Sequence, residues 1–477
     1  MKDILLAEDL KKKHQIFTPK KIVNKMLKIA DDSCNKKLYN CKILENSCGN
    51  GNILIMVVER FIKEAYQNNL SSSKIKCLLQ KNIQAYELDE LLIKECVERL
   101  NNICKTYDIY NVKWNIKNKD FLTEENSYLY DIVIGNPPYI SYLDLPFKKR
   151  KDLKNKLKSC AKGKFDYSYA FIEKSYYSLN SNGSLIYLVP SNWFKNVFAR
   201  NLRLILLDDL VKIIDFQKQR IFKNALVSTA IIHVVKDSKT DHFKYNCPSK
   251  KIYKLVEKST IIDKWIFTKE KVKNKLFSDN FDVFISIATL CNKVFVLPNG
   301  YVKGDYYYFN NYKIELDVLR PTCSPKDKKY NCKEKKIIFP YFFENEKLLH
   351  YTQSELKKKF PYAYKYLEDN KSKLLNRCSE KNAKWYEYGR SQAIVHMNKE
   401  KCIISSIISD KTEAYIVKKD EIPYSGICIV PKNNSTLSDV LRIINSKEFR
   451  KYVQTIGVCV NGNSKRISPN DIKNYTY

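Results

Sequence analysis

The stretch Asp131-Ile132-Val133-Ile134-Gly135-Asn136-Pro137-Pro138-Tyr139 joins a short apolar run to a polar, proline-rich end. An apolar run of this length that stops at a glycine is typical of a buried parallel strand ending at the working edge of a sheet. Each proline fixes its own φ and holds the preceding residue extended. The motif is therefore predicted to hold the Asn136 amide oxygen, the Pro137 carbonyl and the Tyr139 ring as one stiff group.

Two fixed oxygen acceptors suit one kind of chemistry. The Asn136 amide oxygen and the Pro137 carbonyl can each accept one hydrogen of an exocyclic amino group, which localises the nitrogen lone pair for attack on a methyl donor. Tyr139 offers a flat face on which a planar base can stack. A purely structural turn could contain the same prolines, but the position of the motif directly after a strand favours a functional site.

Length, charge and cysteine usage limit the class of protein. A chain of 477 residues exceeds one ordinary core, so two domains are expected, residues 1–238 and 239–477. The net charge of +33 favours a polyanionic partner. No apolar run approaches a membrane span and no signal peptide is visible, so we expect a cytoplasmic protein without membrane contact. Fifteen cysteines, none spaced Cys-x-x-Cys, indicate reduced thiols and no metal site.

Upstream of the motif, strand and helix patterns alternate. Thr18 is the N-cap candidate of an amphipathic helix. Residues 42–46 predict a strand that carries Glu45, followed by a glycine turn at 47–52 and a helix at about 53–67. Glycines let the backbone approach a ligand, and amide groups at a helix start favour a polar or negative group.

Two more predicted strands end in acidic residues. Residues 82–88 form a strand with Glu87 near its end, after an insertion at 65–81. Residues 112–118 form the next strand, and Asp120 and Phe121 lie at its exit. Carboxyl ends of parallel strands share one edge of a sheet, so these acids and Glu45 are expected to converge on a ligand there.

Downstream of Tyr139 the chain turns strongly basic. Lysines and one arginine dominate residues 148–164, which predict a flexible loop on the phosphate backbone of a nucleic acid. Phe222 is expected as an exposed aromatic in the connection 217–226, which is too short for a helical crossover, so its flanking strands should pair antiparallel. The remaining elements are predicted at 165–179 (helix), 184–189 (strand), 193–208 (helix), 211–216 (strand) and 227–235 (strand).

The order of these motifs resembles that of the γ-class N6-adenine DNA methyltransferases of restriction–modification systems, the Taq-type group. The resemblance rests on Phe17-Thr18-Pro19, the glycine turn, the acid-tipped second strand, Asp120-Phe121 and the Asn-Pro-Pro-Tyr motif. It implies an α/β fold with a doubly wound, mostly parallel seven-stranded sheet of the class I methyltransferase, Rossmann-like type. It also implies an α+β target-recognition domain at the carboxyl terminus, S-adenosylmethionine as cofactor and double-stranded DNA as partner.

The resemblance also assigns roles to single residues. The cofactor would be bound by Thr18, Glu45, Cys48, Gly49, Glu87, Asp120, Phe121 and Phe171. Within that set, Glu87 would take the ribose hydroxyls and Asp120 the adenine amino group. The target adenine would be flipped out of the duplex, held by Asn136 and Pro137 and sandwiched between Tyr139 and Phe222. Independently of the resemblance, the basic character of their segments predicts DNA binding by Lys148, Lys149, Arg150, Lys151, Arg390, Lys465 and Arg466. No metal is needed for this transfer.

Two other interpretations stay open. Release-factor glutamine methyltransferases and some rRNA methyltransferases share the Asn-Pro-Pro-Tyr motif, and a non-catalytic DNA-binding relative would keep the same fold. Only sixteen residues precede Phe17, where fused enzymes carry a nuclease, so we expect no restriction activity in this chain. A separately encoded restriction endonuclease is an expected partner, and the chain is expected to act as a monomer.

Overall fold

The computed structural model describes residues 18–33, 36–124, 129–217, 219, 221–222, 228–261, 263–267, 275–409, 411–460 and 464–477. Phe17, which the resemblance uses, lies outside these residues. The chain divides into two compact units, Met1–Phe267 and Thr268–Tyr477. The division falls later than the position expected between residues 238 and 239, because two strands after residue 239 still belong to the sheet of the first unit.

Helices and strands alternate through most of the first unit. Its strands are β1 (Ile43–Glu45), β2 (Ile83–Tyr86), β3 (Asn115–Lys117), β4 (Tyr130–Gly135), β5 (Leu179–Pro190), β6 (Leu210–Asp215), β7 (Thr229–Val235), β8 (His242–Cys247) and β9 (Ile252–Glu257). Its α-helices are α1 (Lys20–Ser33), α2 (Leu54–Gln67), α3 (Ser72–Asn82), α4 (Glu90–Lys105), α5 (Phe147–Lys156), α6 (Tyr167–Tyr177) and α7 (Arg200–Leu207).

The strands of the first unit form one sheet in the order β3-β2-β1-β4-β5-β7-β6-β8-β9. Neighbours from β3 to β5 pair in parallel, and β7 runs antiparallel to both β5 and β6. The doubly wound, mostly parallel seven-stranded arrangement is thus confirmed. The chain changes direction between β1 and β4, so the carboxyl ends of these two strands meet at the topological switch point.

The sheet continues for two strands beyond the seven that were predicted. β8 pairs in parallel with β6, and β9 pairs antiparallel with β8. In β8 the buried residues Phe243, Tyr245 and Cys247 alternate with more exposed ones. That alternation is typical of a strand near the edge of a sheet. The regular fold was predicted to end at about residue 237, which is wrong, because β8 follows β7 without the helix that marked the earlier strands.

Apolar side chains cover both faces of this sheet. In β4, Ile132 and Ile134 belong to one core cluster, whereas Val133 between them belongs to the other. Successive side chains of a strand point to opposite faces, so a strand covered on both sides needs a continuous apolar run. Helices α1, α2 and α4 contribute to the cluster of Ile132, and α6 and α7 contribute to the cluster of Val133.

Two helices of the first unit lie in segments for which no helix was predicted. The insertion after α2 contains α3, whose N-cap Ser71 accepts a hydrogen bond from the Lys74 amide. The basic segment after Tyr139 begins with α5, so the prediction of a flexible loop is wrong for 147–156. Leu153 is the buried residue of α5, and one buried leucine among lysines gives little amphipathic pattern to detect.

The second unit combines small sheets with short helices, as an α+β fold requires. Its strands are β10 (Phe281–Ile285), β11 (Tyr301–Lys303), β12 (Tyr306–Phe309), β13 (Tyr312–Glu315), β14 (Leu319–Cys323), β15 (Lys335–Ile338), β16 (Tyr341–Glu344), β17 (Lys347–His350), β18 (Lys401–Ile404), β19 (Ile407–Ile408), β20 (Ala414–Val417), β21 (Ile422–Pro423), β22 (Ile427–Pro431), β23 (Val458–Cys459) and β24 (Lys465–Arg466). Its α-helices are α8 (Phe277–Asn280), α9 (Asn292–Phe295), α10 (Pro325–Lys329), α11 (Gln353–Lys359), α12 (Pro361–Asp369), α13 (Lys371–Leu375), α14 (Leu437–Ile444), α15 (Lys447–Ile456) and α16 (Pro469–Lys473).

The core of the second unit is rich in aromatic residues. Its largest sheet has the order β10-β22-β18-β20, and one apolar cluster joins elements from Ile287 to Cys428. Near the carboxyl terminus α14 and α15 are separate helices, because the Ser446 hydroxyl accepts from the Phe449 amide and starts a new one. Among the described helices of the chain, none is long and apolar enough to cross a membrane.

Candidate active site

The Asn-Pro-Pro-Tyr motif follows β4 directly. The Tyr139 hydroxyl lies 2.5 Å from the Asn136 amide oxygen and 3.0 Å from the Leu188 carbonyl of β5. Burial, with Asp166 nearby, raises the pKa of Tyr139, so the hydroxyl stays protonated and donates its proton. The hydroxyl therefore orients the amide oxygen of Asn136. An amide oxygen has two lone pairs, so this contact does not by itself exclude a second donor.

Hydrogen bonds join the strand ends into one continuous edge. The Ser47 hydroxyl, after β1, donates to the Asn136 carbonyl at 3.3 Å. The amide of Cys48 donates to the Tyr86 carbonyl at the end of β2 at 3.0 Å. The Glu87 carbonyl in turn accepts from the Asn118 side chain, after β3, at 3.1 Å. The structure thus brings the predicted residues after β1, β2 and β4 together.

Glu45 is the last residue of β1 and is 2% exposed. Burial raises the pKa of its carboxyl well above the usual value, and the nearby Cys96 and Glu87 add to the effect. The Leu54 amide at the start of α2 donates to the carboxyl and opposes that rise. Within the described residues, the Glu45 Oε2 atom has no hydrogen-bond partner. A buried carboxylate oxygen without a donor suits a cationic or hydrogen-bonding ligand group.

A hydrogen bond joins the glycine turn after β1 to the Glu87 carboxylate after β2. Gly49 has a φ of 52°, and its amide donates to Glu87 Oε2 at 2.9 Å. The other carboxylate oxygen of Glu87 accepts from the amides of Leu88 and Asp89 at 2.7 and 3.0 Å. Cys48 is buried beside this turn. The carboxylate that the resemblance assigns to the ribose is therefore oriented by three backbone amides.

Asp120 and Phe121 follow β3 on a short, well-anchored turn. Asp120 Oδ1 accepts from the Leu122 amide at 2.9 Å, and Asp120 Oδ2 forms an ion pair with Lys149 of α5. Phe121 is buried, with its ring centroid 6.2 Å from that of Phe171 on α6. The two aromatic residues expected against the cofactor ring therefore lie together, next to the acid expected to bind its amino group.

One predicted site residue has other surroundings than expected. Phe222 is 5% exposed and packs in the same apolar cluster that Tyr139 borders, so its prediction as an exposed loop aromatic is wrong. Its apolar ring prefers this cluster to water, and in this position it offers no open face to a base. Thr18 is buried just before α1.

A hydrogen-bonded group beneath the strand ends was not predicted. The Asn46 side chain donates to the Ser175 hydroxyl and accepts from the Tyr187 hydroxyl, each at 2.7 Å, and these two hydroxyls lie 2.7 Å apart. Gly135 allows this, because an added Cβ would lie 3.3 Å from the Tyr187 ring. The three residues are far apart in sequence. Only Asn46, beside Glu45, gave a local signal.

The predicted DNA contacts of the first unit divide into two groups. Lys148 and Lys151 are exposed on α5, as a phosphate contact requires. The Arg150 guanidinium lies 5.0 Å from the centre of the Tyr142 ring, and Lys149 pairs with Asp120. Lys149 is therefore committed to a carboxylate in this structure, unlike its exposed neighbours.

In the second unit, Arg390 and Arg466 are exposed. Lys465 is 7% exposed, and its amine contacts the Cys459 sulfur at 2.7 Å. The expectation that Lys465 lies on the surface is wrong, because its β-strand neighbour Arg466 takes the outward direction.

Comparisons with known proteins identify a matching family model, similar sequences and similar solved structures. Residues 24–222 match the family model of the Eco57I restriction-modification methylases. The type II restriction enzyme and methyltransferase RM.Eco57I of Escherichia coli is 24% identical, over 69% of this chain and 38% of that protein. The type II methyltransferase M.HindII of Haemophilus influenzae is 24% identical, over 97% of this chain and 89% of that protein. The type IIL restriction-modification enzyme MmeI, solved in complex with DNA, is similar with a TM-score of 0.60 and 14% identity, over 95% of this chain and 64% of that one.

The strand order and the edge formed by β1, β2 and β4 define a class I methyltransferase fold. Residues 24–222 match the family model of the Eco57I restriction-modification methylases, and the type II methyltransferases named above are similar to this chain. The chain spans 38% of the length of RM.Eco57I, so the activity of the whole protein is a matter for proposal.

Proposed function

We propose that this protein is a site-specific DNA methyltransferase that transfers a methyl group from S-adenosylmethionine to the N6 amino group of an adenine in duplex DNA. It would supply the modification activity of a restriction–modification system. The observation that supports this proposal most strongly is the rigid Asn136–Tyr139 group at the end of β4, which is hydrogen-bonded through Ser47 to the turn after β1. The relatives named type II methyltransferases support this choice of reaction.

The residues at the sheet edge fit S-adenosylmethionine. This molecule carries an ammonium group, a ribose diol and an adenine amino group, all of which are hydrogen-bond donors. Glu45, Glu87 and Asp120 supply one carboxylate near the end of each of β1, β2 and β3. The Oε2 atom of Glu45, which has no hydrogen-bond partner among the described residues, is the group best suited to the ammonium, because it is buried and acceptor-only when ionised.

The chain's own residues would act mainly by placement. Asn136 Oδ1 and the Pro137 carbonyl would accept the two N6 hydrogens of the adenine, which leaves the nitrogen lone pair directed at the methyl group. Tyr139 would stack on the base while its hydroxyl keeps Asn136 oriented. When bound, S-adenosylmethionine supplies an electrophilic methyl group.

The second unit would recognise the DNA sequence. It contains exposed basic residues such as Arg390 and Arg466, and the whole chain carries 85 lysines and arginines against 52 acids. Such an excess favours phosphate contacts, which weaken as salt rises. Base contacts in the major groove would then select the site.

The test is methyl transfer from labelled S-adenosylmethionine to duplex DNA, RNA and protein, followed by identification of the methylated nucleoside by mass spectrometry. We expect N6-methyladenine in duplex DNA only. Asn136→Ala should lower kcat by at least about 100-fold, as the loss of a directed hydrogen bond in a transition state does. Asn102→Ala, at an exposed position on α4, is the matched control and should leave kcat unchanged.

Each alternative has its own outcome in this assay. Methylated RNA or methylated glutamine without methylated DNA would replace DNA as the substrate. Failure of the wild-type protein to bind S-adenosylhomocysteine in calorimetry would support a non-catalytic DNA-binding relative. Unchanged DNA methylation by Asn136→Ala would reject the catalytic assignment of the motif.

A further inference from the structure

One ion pair joins a basic helix to the candidate cofactor site. Lys149 of α5 pairs with Asp120, and both side chains are largely shielded, with 28% and 15% of their side-chain surface exposed. The Lys149 amine also lies 5.6 Å from the centre of the Tyr167 ring. A shielded pair that is also packed on an aromatic ring is worth more than an exposed surface pair.

The turn that carries Asp120 is held from a second direction. The Lys174 amine of α6 donates to the carbonyls of Phe121 and Glu124, each at 2.5 Å, and lies 4.9 Å from the centre of the Phe121 ring. Lys174 therefore fixes the backbone of the turn. Lys149 pairs with the side chain of Asp120 itself.

Helix α5 is oriented so that its basic residues face two directions. Leu153 is buried, and it shares a helix face with Lys149, four residues earlier. Arg150 and Lys154 both lie 5.0 Å from the centre of the Tyr142 ring, which anchors the helix. Lys148 and Lys151 are exposed. The same short helix thus directs one lysine inward and leaves two in solvent.

We propose that Lys149 is a positioning residue of the cofactor site: it holds the Asp120 carboxylate in place for the adenine amino group of S-adenosylmethionine and does not contact DNA phosphate. Lys148 and Lys151 serve the phosphate backbone instead. This inference rests on the proposed function, because Asp120 meets the cofactor only if the chain binds one. A carboxylate has about four acceptor positions, so Asp120 can serve the Leu122 amide, Lys149 and a ligand together.

The test compares two sets of variants in the full chain by calorimetry with S-adenosylhomocysteine and by DNA binding over a range of salt. Lys149→Met should raise the Kd for S-adenosylhomocysteine by about tenfold, the effect of one charge-assisted hydrogen bond, with DNA affinity and its salt dependence unchanged. Lys148→Met combined with Lys151→Met should leave that Kd unchanged and reduce the salt slope of DNA binding by about 1.8, for two phosphate contacts.

Three further measurements separate positioning from a general loss of structure. Lys149→Arg keeps the charge and should restore the Kd to within about threefold of the wild-type value. In steady-state methylation, Lys149→Met should raise KM for S-adenosylmethionine and change kcat by less than about threefold. In the Asp120→Asn background, Lys149→Met should have no further effect on the Kd, because the partner is already removed.

The outcomes distinguish the inference from the function it rests on. Wild-type binding of S-adenosylhomocysteine together with an unchanged Kd in Lys149→Met overturns the inference and leaves the proposed function standing. A lower salt slope of DNA binding in Lys149→Met also overturns it, because Lys149 would then be a phosphate contact. Absence of S-adenosylhomocysteine binding by the wild type overturns both.

Discussion

Replacing Glu45 by glutamine should weaken cofactor binding without lowering the stability of the free protein. Glu45 is buried at the end of β1, its Oε2 atom lacks a hydrogen-bond partner within the described residues, and burial raises its pKa well above the usual value. Glutamine has the same shape and carries no charge. The substitution therefore removes a group that burdens the fold but that the proposed ligand needs.

The expected sizes follow from this environment. A hydrogen bond to a charged group contributes about 1.5–3 kcal/mol, so Glu45→Gln should raise the Kd for S-adenosylhomocysteine by about 10- to 150-fold. A buried polar group without a partner costs about 1–3 kcal/mol. Glutamine still leaves a buried polar atom there but removes the cost of burying a charge, so the variant should equal the wild type in unfolding free energy near neutral pH, or exceed it by about 1 kcal/mol.

The pH dependence has a defined sign. The folded-state pKa of Glu45 lies above the unfolded-state value of 4.5, so the folded protein binds this proton more tightly. The stability linked to this proton is present at low pH and is lost as the pH rises from 4.5 through the folded-state pKa. Glu45→Gln should not show this loss. Affinity for S-adenosylhomocysteine should rise with pH in the wild type, as the carboxyl ionises, and less so in the variant.

Calorimetry with S-adenosylhomocysteine and thermal unfolding between pH 5 and 8 measure both effects. Glu98→Gln, at an exposed position on α4, is the matched control and should resemble the wild type in both. If Glu45→Gln binds S-adenosylhomocysteine as tightly as the wild type, Glu45 does not hold the ammonium group. If it unfolds at lower free energy near neutral pH, the carboxyl stabilises the fold and the reasoning from burial fails.

Three further variants test other parts of the structure. Tyr139→Phe keeps the ring but removes the hydroxyl that orients Asn136, so kcat in DNA methylation should fall about tenfold while the Kd for S-adenosylhomocysteine stays unchanged; an unchanged kcat would contradict the orienting role. Gly51→Ala should lower the unfolding free energy in urea by about 2–4 kcal/mol, because φ is 85° and the added Cβ meets a buried cysteine sulfur at 2.6 Å. Gly304→Ala, with φ of 58° and open space around the added Cβ, should cost only about 1 kcal/mol. Equal losses in the two variants would show that the contact with the cysteine does not destabilise the fold. Burial lowers the pKa of His233 from 6.5 to about 4, so the unfolded chain binds more protons between these values and stability falls as the pH drops through this window. From pH 7 to 5 the wild type should therefore lose about 2 kcal/mol of unfolding free energy that His233→Gln does not lose, measured from the shift of the urea midpoint; an equal shift in both proteins would contradict this.

Local patterns were sufficient to predict the first seven strands of the sheet and its working edge. The apolar run of β4 is buried on both faces, and a strand of that kind leaves a continuous apolar signal in the sequence. Glu45, Glu87 and Asn136 could be placed at one edge of the sheet, because parallel strands align their carboxyl ends. The two added strands β8 and β9 were missed because their alternating pattern is also found in irregular segments.

Side-chain partners were decided by the tertiary structure. Lys149 stands among exposed lysines in the sequence, yet it pairs with Asp120, about thirty residues away, because α5 turns that face inward. Phe222 and Lys465 were expected on the surface and are buried, since the burial of one residue depends on elements that pack on it from elsewhere in the chain.

The sequence by itself thus determined the α/β class, the positions of the first seven strands along the chain and the chemical character of the edge where β1, β2 and β4 end. Short-range periodicity and proline geometry carry that information within a few residues. Only the tertiary structure decided which carboxylate oxygen lacks a donor within the described part of the chain and which lysine turns inward. Those properties depend on contacts between residues far apart in the chain, which no local pattern contains.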